Sequence, residues 1–110
     1  MLKTLTRQSD FQTVYETGRK QVSRSFVLFY LPHAEFRYAV VASKKTIGNA
    51  VHRNRAKRLL RELVRSTAAP LLSGRQAGYL TLVARAAVLK TGLEQMKEEL
   101  AKCLKNWLSD

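Results

Sequence analysis

RNRAKRLLRELVR, residues 53–65, carries six arginines and lysines and one acid, Glu62. Cations at that density suit the gripping of phosphates, since Arg offers a planar pair of donors to two oxygens and Lys a compact charge. At about 100° per residue, Leu59, Leu60, Leu63 and Val64 fall in an arc of roughly 140° around Ala56, with Ala68 at its border. Asn54, Arg58, Arg61 and Arg65 stand opposite over three turns, with Arg55 and Glu62 at one edge and Lys57 at the other, toward Arg53. The stretch reads as an outward cationic rail held by an inward apolar anchor. Arg53 and Arg55 are expected in the first helical turn, where the dipole disfavours cations and a phosphate would also meet free backbone N–H groups. Lys44 and Lys45 precede the Gly48-Asn49 turn and extend the positive surface.

Groups that could perform catalysis are sparse. His33 and His52 are the only histidines and stand apart, as turn or cap residues rather than metal ligands. Asp10, Glu16, Glu35 and Glu62 are scattered over different elements, without the clustered carboxylates that a magnesium-dependent nuclease needs. There is no Ser-His-Asp or Cys-His arrangement, and the Gly48-Asn49 turn lacks the GxxxxGK[ST] phosphate loop. No catalytic residue and no metal ligand is assigned. The chain reads as a binder.

Twenty basic residues against eight acidic ones give a net charge of +12 over 110 residues. That balance favours a polyanionic partner and strongly salt-dependent binding. The length suits one domain, residues 1–110. Cys103, the only cysteine, excludes a disulfide within the chain and reads as a buried free thiol. No apolar run approaches about 18 residues, and the N-terminus lacks the order of a signal peptide. A soluble, cytoplasmic protein with no membrane partner is expected.

The elements that must position the rail follow from periodicity. Ser9-Asp10-Phe11-Gln12 has the form of a capping box, opening a helix over 9–17 with Phe11, Val14 and Tyr15 on one face. Strands are predicted at about 19–24, 25–31 and 36–43, the last two as a hairpin or meander around Pro32-His33-Ala34-Glu35. The apolar 25–31 strand reads as covered on both sides. The basic helix is predicted over 53–68, closed by Pro70 and Gly74. A strand over 78–85 and a helix over 92–108, opened by a second capping box at Thr91, complete the order α-β-β-β-α-β-α. Such a pattern makes a two-layer α/β (α+β) sandwich, a small mixed sheet covered by helices.

Seven of the chain's aromatic residues crowd positions 11–38. The short first helix can cover only part of one sheet face, which leaves an apolar groove beside a basic rim. Rings that stack on bases next to cations that meet phosphates suit single-stranded nucleic acid. A helix-turn-helix needs a short helix before the basic one, and that region reads as strand, lysines and turn. A structural RNA-binding protein of ribosomal type remains the alternative.

SKKTIGNAVHRNRAKRLLRE, residues 43–62, resembles the RNR-motif region of bacterial ribonuclease P protein components. LTRQSDFQTVYETGR, FVLFYL, RYAVVASKK and VAR follow that family's order, so the resemblance covers nearly the whole chain. It implies a protein subunit bound to catalytic ribonuclease P RNA, in a ribonucleoprotein that removes the 5′ leader from precursor tRNA. In that scheme the RNA and substrate hold the magnesium and carry out hydrolysis, with no organic cofactor and no protein oligomer required. It also implies a left-handed βαβ crossover. RNA contact then falls to Lys44, Lys45, Arg53, Asn54, Arg55, Lys57, Arg58, Arg61 and Arg65. Asn54 serves either as a contact or as a brace for the adjoining loop. A leader-binding cleft falls to Phe11, Tyr15 and Phe29. Two departures are Gly78, where the family often has an acid, and Ala86-Ala87, where it often has proline or glycine.

Overall fold

A computed structural model describes residues 3–5, 7–72 and 77–108. The elements are β1 (Lys3–Thr4), α1 (Gln8–Thr17), β2 (Arg19–Val22), β3 (Phe26–Pro32), β4 (Arg37–Val41) and the one-turn α2 (Lys44–Ile47). Next come α3 (Ala50–Leu63), a π-helical turn (Val64–Ala68), α4 (Ala69–Leu71), β5 (Gly78–Ala84), a 3₁₀ turn (Ala86–Leu89) and α5 (Leu93–Leu108). The five strands lie in the order β1-β4-β5-β3-β2. The sheet is mixed: β4 runs parallel to β1 and β5, while β3 runs antiparallel to β5 and β2. This is the expected α/β sandwich, a small mixed sheet flanked by helices.

The predicted β3–β4 hairpin does not form. β5 inserts between those strands, pairing with Phe26–Pro32 on one side and Arg37–Val41 on the other. The local hairpin is β2–β3, with Val22 opposite Val27. A four-residue link of up to about 14 Å easily spans the two strand spacings that separate β3 from β4. From β4 the chain passes through α2, α3 and α4 and returns as the parallel neighbour β5.

Alternation divides each central strand between two faces. Phe26, Leu28, Tyr30, Leu80, Leu82 and Ala84 are buried on one face with Ala56, Leu60, Leu63, Val64 and Ala68 from the basic helix and Met96, Leu100 and Leu104 from α5. Burying each of these Leu side chains contributes about 1.5–3 kcal/mol, enough to hold a helix whose outer face repels itself. On the other face α1 lays Val14 over Ala39 and Leu5, with Phe11, Phe29, Leu31 and Tyr79 packed around them. The apolar strand is therefore covered on one side and only partly on the other.

Several helix limits differ from the predicted ones. α1 begins at Gln8 with Arg7 at its N-cap, so Ser9 lies inside the helix and its carbonyl accepts from the Thr13 hydroxyl (2.8 Å). α5 begins at Leu93, and the Thr91 hydroxyl instead donates back to the Ala87 carbonyl (2.9 Å). Pro70 does not close the basic helix. The Ala69 N–H reaches back five residues to the Val64 carbonyl, and Pro70 follows within α4. Proline has no N–H to give and its ring collides with the carbonyl four residues earlier, a conflict that a widened turn relieves. Gly74, the other predicted stop, lies outside the described residues. Gly78 sits opposite Pro32 at the sheet's end, where a Cβ would meet the Leu31 carbonyl oxygen and the Tyr30 ring at 2.6 Å. An acid has no room there.

Candidate nucleic-acid interface

The rail is built from two consecutive caps. Ser43 Oγ accepts the Thr46 N–H (3.1 Å), starting α2 with Lys44 and Lys45 exposed in its first turn. Gly48 then takes φ +105°, a region that L side chains rarely adopt, and reverses the chain. Asn49 Oδ1 accepts the His52 N–H (3.0 Å) and starts α3 three residues before the predicted Arg53. Arg53 and Arg55 thus lie past the first turn. The Arg53 N–H already bonds the Asn49 carbonyl (3.0 Å), so the expected phosphate seat shared by these arginines and free backbone donors is absent. The segment before the basic helix also contains a one-turn helix, contrary to the strand-and-turn reading used against a helix-turn-helix.

Asn54, Arg55, Arg58, Arg61 and Arg65 are exposed along α3 and its continuation, while Arg53 and Lys57 are partly buried. Arg53 stands at roughly 60° from Ala56, inside the apolar arc, and its Nε is buried without a hydrogen-bond partner. Asn54 makes no side-chain hydrogen bond among the described residues, and the bracing of the adjoining loop is done by Asn49. Arg65 differs from its neighbours: it pairs with Glu62 through two contacts, Nε to Oε2 at 3.0 Å and Nη2 to Oε1. That hydrogen bond holds the Glu62 carboxyl below its ordinary value of 4.5 and the Arg65 guanidinium above its own. The other ion pairs among the described residues join Glu35 to Lys3 and Arg37, and Glu94 to Lys97. Lys44, Lys45, Arg53, Arg55, Lys57, Arg58 and Arg61 take part in none. Their mutual repulsion is left for an external anion to neutralise.

The strand register builds a second surface on the α1 side of the sheet. Val22, Val27, Val83 and Val41 form one row across β2, β3, β5 and β4. The adjoining row is Lys20, Phe29, Thr81 and Ala39, and α1 lies over its inner half. The valine row is left open as the floor of a groove of about 340 Å³, walled by Tyr15, Lys20 and Phe29. Tyr15 meets Phe29 edge-on (centroids 4.8 Å, 86°), and Lys20 Nζ sits 5.8 Å from the Phe29 centroid. Burial raises the Tyr15 phenol above its ordinary 10.0, so it is a neutral ring at physiological pH.

Tyr15 and Phe29 thus come together, and Phe11 does not join them. Phe11 lines a separate hollow with Leu5, Tyr38, Val40 and Arg61 near the β1–β4 edge. The groove residues missed in the sequence, Lys20 and the four valines, become neighbours only through pairing over distant segments.

Among the described residues no three His, Cys, Asp or Glu side chains are placed to hold a metal ion. The donor set explains why: Glu35, Glu62 and Glu94 are engaged by cations, and Glu16 accepts from Gln12 (3.0 Å). His33 stacks on Tyr79 (4.1 Å) in the β3–β4 link, and His52 is exposed in the first turn of α3. Cys103 is a half-buried free thiol pushed up by burial and by Glu99, with Lys102 opposing. No helix is long and apolar enough to cross a membrane among the described residues.

A model of the family described as Ribonuclease P matches residues 2–108. The "Ribonuclease P protein component" of a Nitratiruptor species is 38% identical over 103 residues, covering 94% of this chain and 90% of the relative. That of a Bacillus cereus strain is 34% identical over 104 residues, covering 92% and 87%. The RNase P protein of Staphylococcus aureus matches with a TM-score of 0.74 at 29% identity, over 96% of this chain and 94% of that one. The RNase P protein from Thermotoga maritima shares the fold, with a TM-score of 0.75 at 21% identity over 94% and 96%.

Proposed function

Since this chain belongs to the bacterial ribonuclease P protein family, we propose that its rail and its groove hold the two RNAs of that enzyme. The chain is the protein component of the ribonuclease P ribonucleoprotein, which acts with its catalytic RNA on the 5′ leader of precursor tRNA. The protein is not a catalyst alone. Magnesium is held by RNA and substrate, and among the described residues the protein's own carboxylates do not converge on a site for it.

Lys44, Lys45, Arg53, Asn54, Arg55, Lys57, Arg58 and Arg61 contact the catalytic RNA, their forks and ammonium groups meeting phosphate oxygens. Arg65 contributes when it leaves Glu62. Tyr15 and Phe29 stack on leader bases over the valine floor, while Phe11, in its own hollow, packs α1 onto the sheet. The relatives are bacterial, and with RNA substrates a cytoplasmic site of action follows.

The observation that carries this reading is a set of seven cations on α2 and α3 that pair with no acid among the described residues, on a helix whose inner face is buried, with an open apolar groove on the sheet's opposite face. Leader cleavage at low magnesium by catalytic RNA, by protein, and by both tests it. Cleavage is expected to rise only in the mixture. Metal-dependent cleavage by the purified protein alone, or no stimulation of the RNA, would overturn the division of labour.

A further inference from the structure

The valine row is about 14 Å wide, three strand spacings, so an RNA strand of more than a few nucleotides must leave it over one of two ends. One end is Val41, followed after Ala42 by the cap Ser43 and the lysines of α2. The other is Val22, on the outer strand β2. Val22 is 51% exposed and lines two hollows at once. The first is the groove; the second, of about 240 Å³, lies round the sheet edge between β2 and α5. Gln21, Ser23, Glu99, Lys102, Cys103 and Trp107 bound it.

We infer that this second hollow continues the RNA track. The leader crosses the row from Val41 to Val22, turns over β2 and sets a distal nucleotide against Trp107, with Lys102 meeting its phosphate. This extends the reading of the groove as the leader's seat and rests on it. The Trp107 ring is partly buried and lies nearly parallel to the Tyr30 ring (6.2 Å, 20°), so it is held in one orientation before any base arrives. A preset aromatic plane stacks on any base and needs no particular sequence.

Charge complements the same occupant. Lys102 is exposed and has no ion pair among the described residues. Arg85 donates to the carbonyl of Ser23 in the hollow's lining (2.7 Å), which brings a guanidinium group to the rim. Glu99 is the single acid of the lining. A polyanion entering from the groove therefore meets Lys102 and Arg85 against the one carboxylate, Glu99.

The test uses the reconstituted holoenzyme and two precursor tRNAs, one with a leader just long enough to cross the valine row and one with a leader about twice that length. Wild-type affinity is expected to rise from the short leader to the long one. Trp107→Ala is expected to weaken long-leader binding about tenfold, in the range of one stacked base. Lys102→Ala is expected to weaken it about fivefold at low salt. Both leave short-leader binding at the wild-type level, whereas Phe29→Ala weakens both substrates. Since Trp107 backs Tyr30, the exposed Lys102 decides the matter if Trp107→Ala lowers binding of both. A Lys102→Ala protein that loses affinity equally for the two leaders, or for neither, refutes the extended track and leaves the groove standing. A Phe29→Ala protein that binds both leaders normally refutes the groove itself. A photoreactive distal nucleotide that crosslinks away from residues 102–107 refutes the track by an independent route.

Discussion

Glu62 is the acid that the rail carries, and its replacement by glutamine should make the protein bind catalytic RNA more tightly. Among the described residues, seven cations of the interface have no ion pair, and an eighth, Arg65, is neutralised by Glu62. With a slope of about 0.7–0.9 log units per neutralised phosphate, seven contacts predict a salt dependence of about −5 to −6. Arg58→Ala removes one exposed, unpaired contact and should flatten that slope by about 0.7–0.9. Arg65→Ala should scarcely change it, because an arginine held by Glu62 neutralises no phosphate. Glu62→Gln frees Arg65 and should steepen the slope by about 0.7–0.9, which is about five- to eightfold in affinity at about 0.1 M salt. The assay is filter binding or fluorescence anisotropy on catalytic RNA across a salt series, with circular dichroism to establish that each variant is folded. If Glu62→Gln leaves the slope unchanged and Arg65→Ala flattens it as much as Arg58→Ala does, the carboxylate does not neutralise Arg65 and the accounting of free cations is wrong.

Thr81 is fully buried beneath α1, and its hydroxyl has no hydrogen-bond partner. Thr81→Val should stabilise the fold by about 1 kcal/mol, read from urea unfolding, and leave RNA binding alone. Gly78→Asp forces a side chain into the Leu31 carbonyl and the Tyr30 ring, and a loss of about 1–3 kcal/mol is expected from the same measurement. The Glu62 carboxyl is held below 4.5 by Arg65, so its contribution to stability is full above that value and is lost only as pH falls through the lower folded value. The salt slope of the wild-type protein should accordingly be flat between about pH 5 and 8, where neither partner titrates.

The rail can be read from the sequence because helical periodicity is local: of the residues assigned to the inner arc, Leu60, Leu63, Val64 and Ala68 are fully buried and Leu59 is partly buried. The charges place its beginning at Arg53, whereas the helix starts where Asn49 can accept an N–H. A cap signal stands in the sequence there, outweighed by charge. The groove is legible only as an uncovered face. Its valine floor depends on β5 entering between β3 and β4, and no periodicity within residues 26–41 records a strand that arrives from residue 78 onward. Helical spacing groups Phe11 with Tyr15, since four residues make about one turn. One turn apart on α1, Phe11 and Tyr15 nonetheless meet different hollows.

The two surfaces lie on opposite faces of one sheet and meet at the end of β4. Val41 closes the valine row and Lys44 opens α2, three residues on and so within about 10 Å. Ala42, buried in the core between them, fixes that link. On the proposed reading, a leader seated in the groove would be held at a set distance from the RNA on the rail. If the groove grips the leader away from the scissile bond, that grip is the same before and during hydrolysis. Such uniform binding lowers KM and does not raise kcat. Phe29→Ala, which removes a stacking ring worth about 1–3 kcal/mol per base, should therefore raise KM for leader-bearing substrate with kcat nearly unchanged. A kcat that falls in step with kcat/KM would mean that the ring acts on the transition state, and that the groove positions the scissile phosphate as well as retaining the strand.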